Sequence, residues 1–294
     1  MKVLFAVNPK SGQKDGKDFL NLIDEHAKQH QYEYLFHPIE QDNEEILIKE
    51  EIESYKPDIV AAAGGDGTVN LLSKILVNTA VSLLIIPLGS ANGMAKELGL
   101  AAKPEASLDL IVRGEKKAID LLKINGNICV HLADVGLNAR IVKRFEEDPK
   151  RGLMTYAKYL YREVFLIKKY RFYIRYDGKE ISEKAVSITF ANASKYGTGA
   201  VINPTGKIND GKFELVIIKP FPRIHLLSIS WKIFTGTLQT SEFVEVISCS
   251  EALIWSPKKT TLNIDGEIIG KIREIKIEIL PGALKVLVPQ NLPA

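Results

Sequence analysis

Apolar segments without polar alternation recur along the first hundred residues: Val3 to Val7, "DIVAAA" from Asp58 and "VSLLIIP" from Val81. Helical patterns lie between them. "DFLNLIDEHAKQH" puts Phe19, Leu20, Ile23 and Ala27 on one helical face, and "QDNEEILIKEEIESY" opens with Asp42 and Glu45 at capping-box spacing. "TVNLLSKIL" and "SANGMAKELGL" continue the alternation. A strand that is apolar on both faces must be covered on both faces, and such strands alternating with amphipathic helices build a parallel sheet with helices on either side. The first part of the chain is therefore expected to be a doubly wound α/β domain.

Past "KPEASLDLIVRGE", which reads as one more helix, the pattern changes to hairpins. Asn125-Gly126 and Asp177-Gly178 each sit between two β-type runs, the strongest short-range hairpin signal. Further β-type runs follow at "AVSITFANAS", "FELVIIK", "FVEVISCS", "EALIWS", "TTLNID", "EIKIEIL" and "LKVLV". Helical inserts are expected at "LNARIVKRFEED", "TYAKYLYREVFLIKK" and "PRIHLLSISWKIFTG". A mostly antiparallel second domain follows, with residues 1–115 and 116–294 as the two domains and the last strand crossing back to the first. A chain of 294 residues suits two cores, since single cores stop growing at roughly 250–300 residues.

A formal charge of +3 is too small to indicate a nucleic-acid partner, and 46% hydrophobic with 26% charged residues excludes wholesale disorder. Cys129 and Cys249 have neither paired-ligand spacing nor the density of a secreted scaffold, so a reduced, cytoplasmic protein with packed thiols is expected. His26, His30, His37, His131 and His225 are read as surface or packing residues, without zinc-ligand spacing. No apolar stretch approaches the roughly 20 residues of a spanning helix, so membrane contact is expected to be peripheral.

Ligands of an open α/β sheet bind outside the carboxyl ends of the strands, and three loops there have unusual composition. They are "NPKSGQ" (Asn8 to Gln13), Gly64-Gly65-Asp66-Gly67-Thr68, and "PLGSANG" (Pro87 to Gly93). Glycine permits positive φ and close backbone approach, so successive N–H groups can turn toward one anion at a helix N-terminus. An ordinary turn needs one or two glycines, not three around an acid. The string has neither the Gly-Lys-Ser/Thr ending of a Walker A loop nor the dinucleotide Gly-x-Gly-x-x-Gly pattern. Asp66 would repel phosphate unless Mg²⁺ or its waters lie between them, so a metal is expected.

"NPKSG", "GGDGTVN" and "PLGSANGMAKELGL", in this order and spacing, resemble the catalytic domain shared by diacylglycerol kinases, sphingosine kinases and their bacterial lipid-kinase relatives. The resemblance extends to the β-rich second half with its late "NIDGE". It implies an α/β domain and a β-sandwich domain enclosing a cleft, with ATP against the glycine loop and a lipid hydroxyl as acceptor. It places nucleotide binding on Asn8, Pro9, Lys10, Ser11 and Gly12, on Gly64, Gly65, Asp66, Gly67, Thr68, Val69 and Asn70, and on Ser90. Asp66 is implied to organise Mg²⁺ with ATP, Asp120 to be a second acid of that network, and Glu267 in "DGE" to be the general base. "TGKINDGKFEL" is similar to a loop holding a structural Mg²⁺ through a carboxylate like Asp210 and carbonyls at Lys207 and Lys212. The chain departs from many diacylglycerol kinases at Gly93, where the family has an acid. Its Ser90-Ala91-Asn92-Gly93 is closer to the sphingosine and ceramide kinase branch, which leaves the acceptor open among diacylglycerol, a sphingoid base and a related long-chain alcohol.

Taken from the residues alone, "NIDGE" reads as a hairpin turn. Arg140 to Arg171 mixes cations with aromatic residues, a composition that serves docking on anionic lipid or a solvated helix face, and "PRIHLLSISWKIF" reads mainly as core packing. A lipid at the membrane surface is the expected partner, with a homodimer left open. Two other functions remain: a NAD kinase, which shares the Gly-Gly-Asp-Gly-Thr loop, and a non-catalytic nucleotide or lipid sensor. "NPKSG" and "PLGSANG" weigh against the first, and Glu267 with Asp120 against the second.

Overall fold

The structure, a computed structural model, describes residues 1–11, 16–40, 43–136, 168–195 and 201–290. Gly12, Asp42, the two expected inserts "LNARIVKRFEED" and "TYAKYLYREVFLIKK", and most of the basic and aromatic stretch lie outside the described residues. The chain divides into two compact units, one of residues 1–119 with 282–294 and one of residues 120–281. The division thus falls after Ile119, not after residue 115, and the chain end belongs to the first unit.

The first unit contains β1 (Lys2–Val7), α1 (Gly16–His30), β2 (Glu33–Pro38), α2 (Glu44–Tyr55), β3 (Ile59–Gly64), α3 (Asp66–Leu76), β4 (Ser82–Pro87), α4 (Gly93–Glu97), α5 (Pro104–Leu108) and α6 (Leu110–Arg113). Its strands pair in parallel in the order β2-β1-β3-β4, and Lys285 and Val286 of the returning chain add a parallel neighbour to β4. β1 and β3 are neighbours, while the chain leaves β1 for β2 on the other side. That pair is the topological switch point. Val3, Phe5, Ala61 and Leu84 cluster with Phe19, Ile23 and Ala27 of α1 and with Leu108 and Ile111. Leu4, Val60, Leu83 and Ile85 alternate with them and are equally buried, as helices on both faces require. On α1 the expected Leu20 is only half-buried, and Leu22 joins the core in its place.

Two local readings need correction. "PEASLDLIVRGE" forms two short helices that break at Asp109, not one. α2 starts at Glu44 with Asn43 at its N-cap and no side-chain cap bond, one residue later than an Asp42/Glu45 box requires. The buried Glu44 carboxylate instead accepts the Glu40 N–H (2.7 Å) and contacts His37 Nε2 (2.5 Å), while Glu51 lies 3.0 Å from His37 Nδ1. His37 is thus a buried, twice-paired imidazole, not a plain packing residue.

The second unit begins within β5 (Glu115–Ile124) and continues with β6 (Asn127–Cys129), β7 (Leu132–Gly136), β8 (Tyr170–Tyr176), β9 (Lys179–Ala185), β10 (Ser187–Ala191), β11 (Phe213–Ile218), α7 (Leu226–Thr235), β12 (Val244–Cys249), β13 (Glu251–Ile264) and β14 (Glu267–Val288). Antiparallel pairing runs β12-β11-β10-β7-β13-β14, and the β8–β9 hairpin joins β13 through Tyr173 to Tyr176. Phe172, Phe190, Phe213, Leu262 and Ile277 fill the core of this β-sandwich. Asn125-Gly126, Asp177-Gly178 and Asp265-Gly266 all have positive φ at both positions, the type I′ geometry of two-residue hairpins. "EALIWS" and "TTLNID" are one strand, β13, whose register shifts between Trp255 and Thr260 and so accommodates Pro257. "EIKIEIL" and "LKVLV" likewise belong to the single strand β14, which passes through Pro281-Gly282.

Ile229 of α7 packs in a second cluster with Leu132, Ala191 and Val216, with Ile233 against it. Ile224 (84% exposed) and Trp231 (71%) face outward, so this segment is only partly core. Both cysteines are free and buried, and burial pushes both thiols up, Cys249 to about 12. Among the described residues no helix is long and apolar enough to cross a membrane.

Burial alone would lower the His37 pKa, but its bonds to Glu44 and Glu51 outweigh this and raise it. A raised folded-state value contributes stability that is complete below the unfolded value of about 6.5 and is lost as pH rises through the folded value. Unfolding measured at pH 6 and pH 9 is therefore expected to show a smaller pH dependence in His37→Gln than in wild type. The loss in the variant should be larger at pH 6.

Candidate active site

β1 and β3 end side by side at the switch point, and the first two loops start there. The Asn8 N–H donates to the Ala63 carbonyl (2.9 Å), tying the first loop to the end of β3. Asn8 Oδ1 accepts the Lys10 N–H (3.0 Å) and its carbonyl accepts the Ser11 N–H (3.0 Å), so Asn8-Pro9-Lys10-Ser11 is a tight turn with Pro9 and Lys10 exposed.

The Gly-Gly-Asp-Gly-Thr string is not a free loop. Gly64 ends β3, Gly65 is the N-cap of α3, and Asp66, Gly67 and Thr68 form the first turn of that helix. None of the three glycines has positive φ. Close approach demands Gly64 of the string and Gly89 of the third loop. A Cβ on Gly64 would lie 2.2 Å from Thr68 Oγ1, and one on Gly89 would lie 2.5 Å from the Gly65 Cα. Leu88 and Gly89 N–H groups both donate to the Gly64 carbonyl (2.9 and 3.3 Å), so the strand-to-helix corner is pressed against the third loop.

Gly67 differs from both: it is exposed, and a Cβ there would meet nothing within 4 Å among the described residues. Neither dihedral nor packing accounts for a glycine at this position. It lies in the first turn of α3, where the Thr68 N–H donates to the Gly65 carbonyl (3.1 Å) and the N–H groups before it, together with the helix dipole, favour an anion. Asp66 is half-buried, and its Oδ1 accepts the Gly93 N–H (2.7 Å) at the start of α4. Gly93 thus supplies a backbone donor to Asp66. Asn92 has φ of 50° and both accepts from and donates to the Gly89 backbone (3.0 and 2.7 Å). It shapes the third loop and was not singled out from the sequence; its signal is Asn before Gly at a helix start. Ser90 is exposed on that loop. Thr68, Val69 and Asn70 are buried in α3, and Asn70 Oδ1 has no hydrogen-bond partner among the described residues.

In the second unit Glu267 is exposed at the start of β14, paired with Ile264 across the Asp265-Gly266 turn. Asp265 anchors that turn. Its carboxylate accepts the N–H groups of Val130 (2.8 Å), His131 (2.9 Å) and Leu132 (3.1 Å), while its own N–H donates to the Leu132 carbonyl (2.9 Å). Burial pushes the Asp265 carboxyl up against the opposing pull of these donors. Asn192 Nδ2 then bridges the carbonyls of Val130 (2.9 Å) and Asp120 (2.8 Å). Asp120 is buried, donates its N–H to Ile208 O (2.7 Å) and accepts the Gly211 N–H at Oδ2 (2.7 Å). The Glu267 turn, Asp120 and the 207–212 loop are therefore one hydrogen-bonded assembly, although Asp120 and Asp210 were assigned to separate metal sites. Asp210 is exposed, with Oδ1 accepting the Lys212 N–H (3.0 Å), and Lys207 and Lys212 are exposed beside it.

Two more acids escaped the sequence reading because each is embedded in an apolar strand run. Glu214 is buried and accepts from Asn203 Nδ2 (2.5 Å) and Ser248 Oγ (3.0 Å); burial raises its carboxyl against those bonds. Asp134, fully buried on β7, accepts Asn263 Nδ2 (3.0 Å) on β13.

Replacing Asp265 by Ala leaves three backbone donors without their acceptor, each costing about 1–3 kcal/mol if it stays unpaired. Urea unfolding of Asp265→Ala is expected to show a loss of at least about 2 kcal/mol, and a loss under about 0.5 kcal/mol would show that the turn does not depend on this carboxylate.

Residues 2–124 match the diacylglycerol kinase catalytic domain, and residues 132–288 match the YegS C-terminal NAD kinase beta sandwich-like domain. The chain is 30% identical over 245 residues to the "Probable lipid kinase YegS" of Salmonella newport and, over the same length, to that of Salmonella typhimurium, covering 80% of each chain. A solved Bacillus anthracis structure described as a diacylglycerol kinase superposes with a TM-score of 0.78 at 20% identity, covering 98% of this chain and 97% of that one. A second structure from the same organism gives a TM-score of 0.81 at 23% identity with the same coverage. At such identities these two show the shared fold. Both halves of the chain and its curated relatives agree: it belongs to the family of bacterial lipid kinases built from a diacylglycerol kinase catalytic domain followed by a YegS-type β-sandwich.

Proposed function

We propose that the chain transfers the γ-phosphoryl group of ATP to the hydroxyl of a membrane lipid, diacylglycerol or a sphingoid or related long-chain alcohol. The observation that carries this reading is the open space at Gly67, beside the N-terminus of α3 at the switch point, where the fold itself has no need of a glycine. The first-turn N–H groups of α3 hold the phosphates there, and Asn8 to Ser11 with Ser90 border the nucleotide. Asp66 stays partly exposed while Oδ1 braces Gly93, so it is the carboxylate suited to a Mg²⁺ ion bound with ATP. Such an ion supplies neutralisation of phosphate charge.

Glu267 accepts the proton of the lipid hydroxyl as that oxygen bonds to Pγ. The bond from Pγ to the bridging oxygen breaks, and ADP leaves. Within its own unit, the turn set by Asp265 fixes the local geometry of Glu267, which supports this role.

The acceptor lies in a bilayer, so the protein docks on its surface. Residues 219–241 contain Lys219, Arg223 and Lys232 and no acid, and Ile224 and Trp231 point outward from this stretch. Exposed Trp with neighbouring cations suits insertion at an anionic interface.

Purified protein incubated with labelled ATP, Mg²⁺, a lipid panel and NAD is expected to label a lipid. Glu267→Gln should lower kcat by about 10²–10⁴-fold. Trp231→Ala should lower the rate on lipid embedded in anionic vesicles more than on lipid in detergent micelles. Label in NAD with none in lipid would overturn the reading, and near-full turnover of Glu267→Gln would remove Glu267 as the base.

A further inference from the structure

His26 and His30 stand four residues apart in the last turns of α1, one above the other on the helix. Asp109, at the break between α5 and α6, meets them, and one ligand atom from each of the three lies within 4.8 Å of the others. His26 Nε2 and Asp109 Oδ1 are 3.6 Å apart, and the two imidazole rings are 4.4 Å apart between centroids. We propose that His26, His30 and Asp109 form a binding site for one divalent transition-metal ion of the zinc class.

The spacing suits ligands better than hydrogen bonds. Two atoms each about 2.0–2.1 Å from a tetrahedral ion lie about 3.3 Å from one another. His37 provides the contrast, with both ring nitrogens at bonding distance from glutamates. His26 Nε2 is buried and has no hydrogen-bond partner among the described residues, which calls for an explanation in a native fold. Its other nitrogen, Nδ1, lies 3.0 Å from the hydroxyl of buried Tyr32. With Nδ1–H donating to that oxygen, Nε2 keeps its lone pair for the ion, the outer contact that metal-bound histidines usually make. Burial pushes the Tyr32 hydroxyl up to about 12, so it stays neutral in this role.

Metal binding uses the neutral imidazole ring. The C-terminal end of α1 adds negative potential. Two imidazoles and one carboxylate suit zinc or its first-row neighbours and not Mg²⁺, which prefers oxygen ligands, so this site is chemically distinct from the one at Asp66. Three protein ligands leave a fourth position for water. The expectation that no histidine has zinc-ligand spacing is thereby corrected, since a pair at i and i+4 gains its third ligand from a distant segment.

Full-length protein purified without a polyhistidine tag, titrated with ZnCl₂ by calorimetry, is expected to bind one equivalent at this site. His30→Ala and Asp109→Asn should each weaken it at least about 10-fold. Zn²⁺ should raise the Tm of wild type and not of either variant. Wild type that binds no Zn²⁺, or folded His30→Ala and Asp109→Asn variants that bind it as wild type does, would overturn the proposal. If His30→Ala does not fold, Asp109→Asn alone decides.

Discussion

The corner where β3 enters α3 depends on backbone packed against backbone. A methyl on Gly89 would overlap the Gly65 backbone of the facing loop, and one on Gly64 would overlap the Thr68 side chain in the first turn of α3. The Gly64 carbonyl, with two donors from the third loop, and Asp66, with the Gly93 amide, lock this contact. The start of α3 is therefore held rigidly at the switch point of the sheet. Preorganised amides of this kind stabilise charge without rearranging when the ligand arrives. Asp66 consequently has two tasks: it braces the third loop and remains the acid nearest the helix N-terminus.

In the second unit a comparable constraint comes from carboxylates bonded to backbone. Asp265 closes the turn before Glu267 onto residues 130–132, Asn192 carries the connection to Asp120, and Asp120 holds the 207–212 loop. Groups separated widely in sequence become one assembly, so a change at Asp120 or Asn192 is transmitted to the turn that presents Glu267. Hydrogen-bonded networks of this kind restrict the geometry of their members, and breaking one leaves buried donors in the low dielectric of the core.

Much of this was legible from residue pattern. The apolar runs specified the parallel sheet, and Asn-Gly and Asp-Gly pairs marked the hairpins, because positive φ at both turn positions is open to few residues. The glycine string itself marked Asp66, whereas only family resemblance marked Glu267. Pattern failed where a property depends on distant partners. Glycines expected to supply positive φ were needed for close approach, which depends on Gly65 meeting Gly89. Asp265 looked like a turn residue, and its three acceptor bonds depend on residues more than a hundred positions earlier. Asp134 and Glu214 were hidden within apolar strands, and the β-type runs on either side of Pro257 and of Pro281 belong to single long strands.

Gly67 separates the demands of the fold from those of a ligand, because its missing side chain leaves space that no atom of the described residues occupies. The most direct measurement compares wild type and Gly67→Ala by urea unfolding and by calorimetric titration with ATP in the presence of Mg²⁺. If phosphate lies at the start of α3, the variant keeps wild-type stability or gains up to about 1 kcal/mol from better helix propensity, while its affinity for ATP falls at least about 10-fold. A folded Gly67→Ala protein that binds ATP as tightly as wild type would contradict the account.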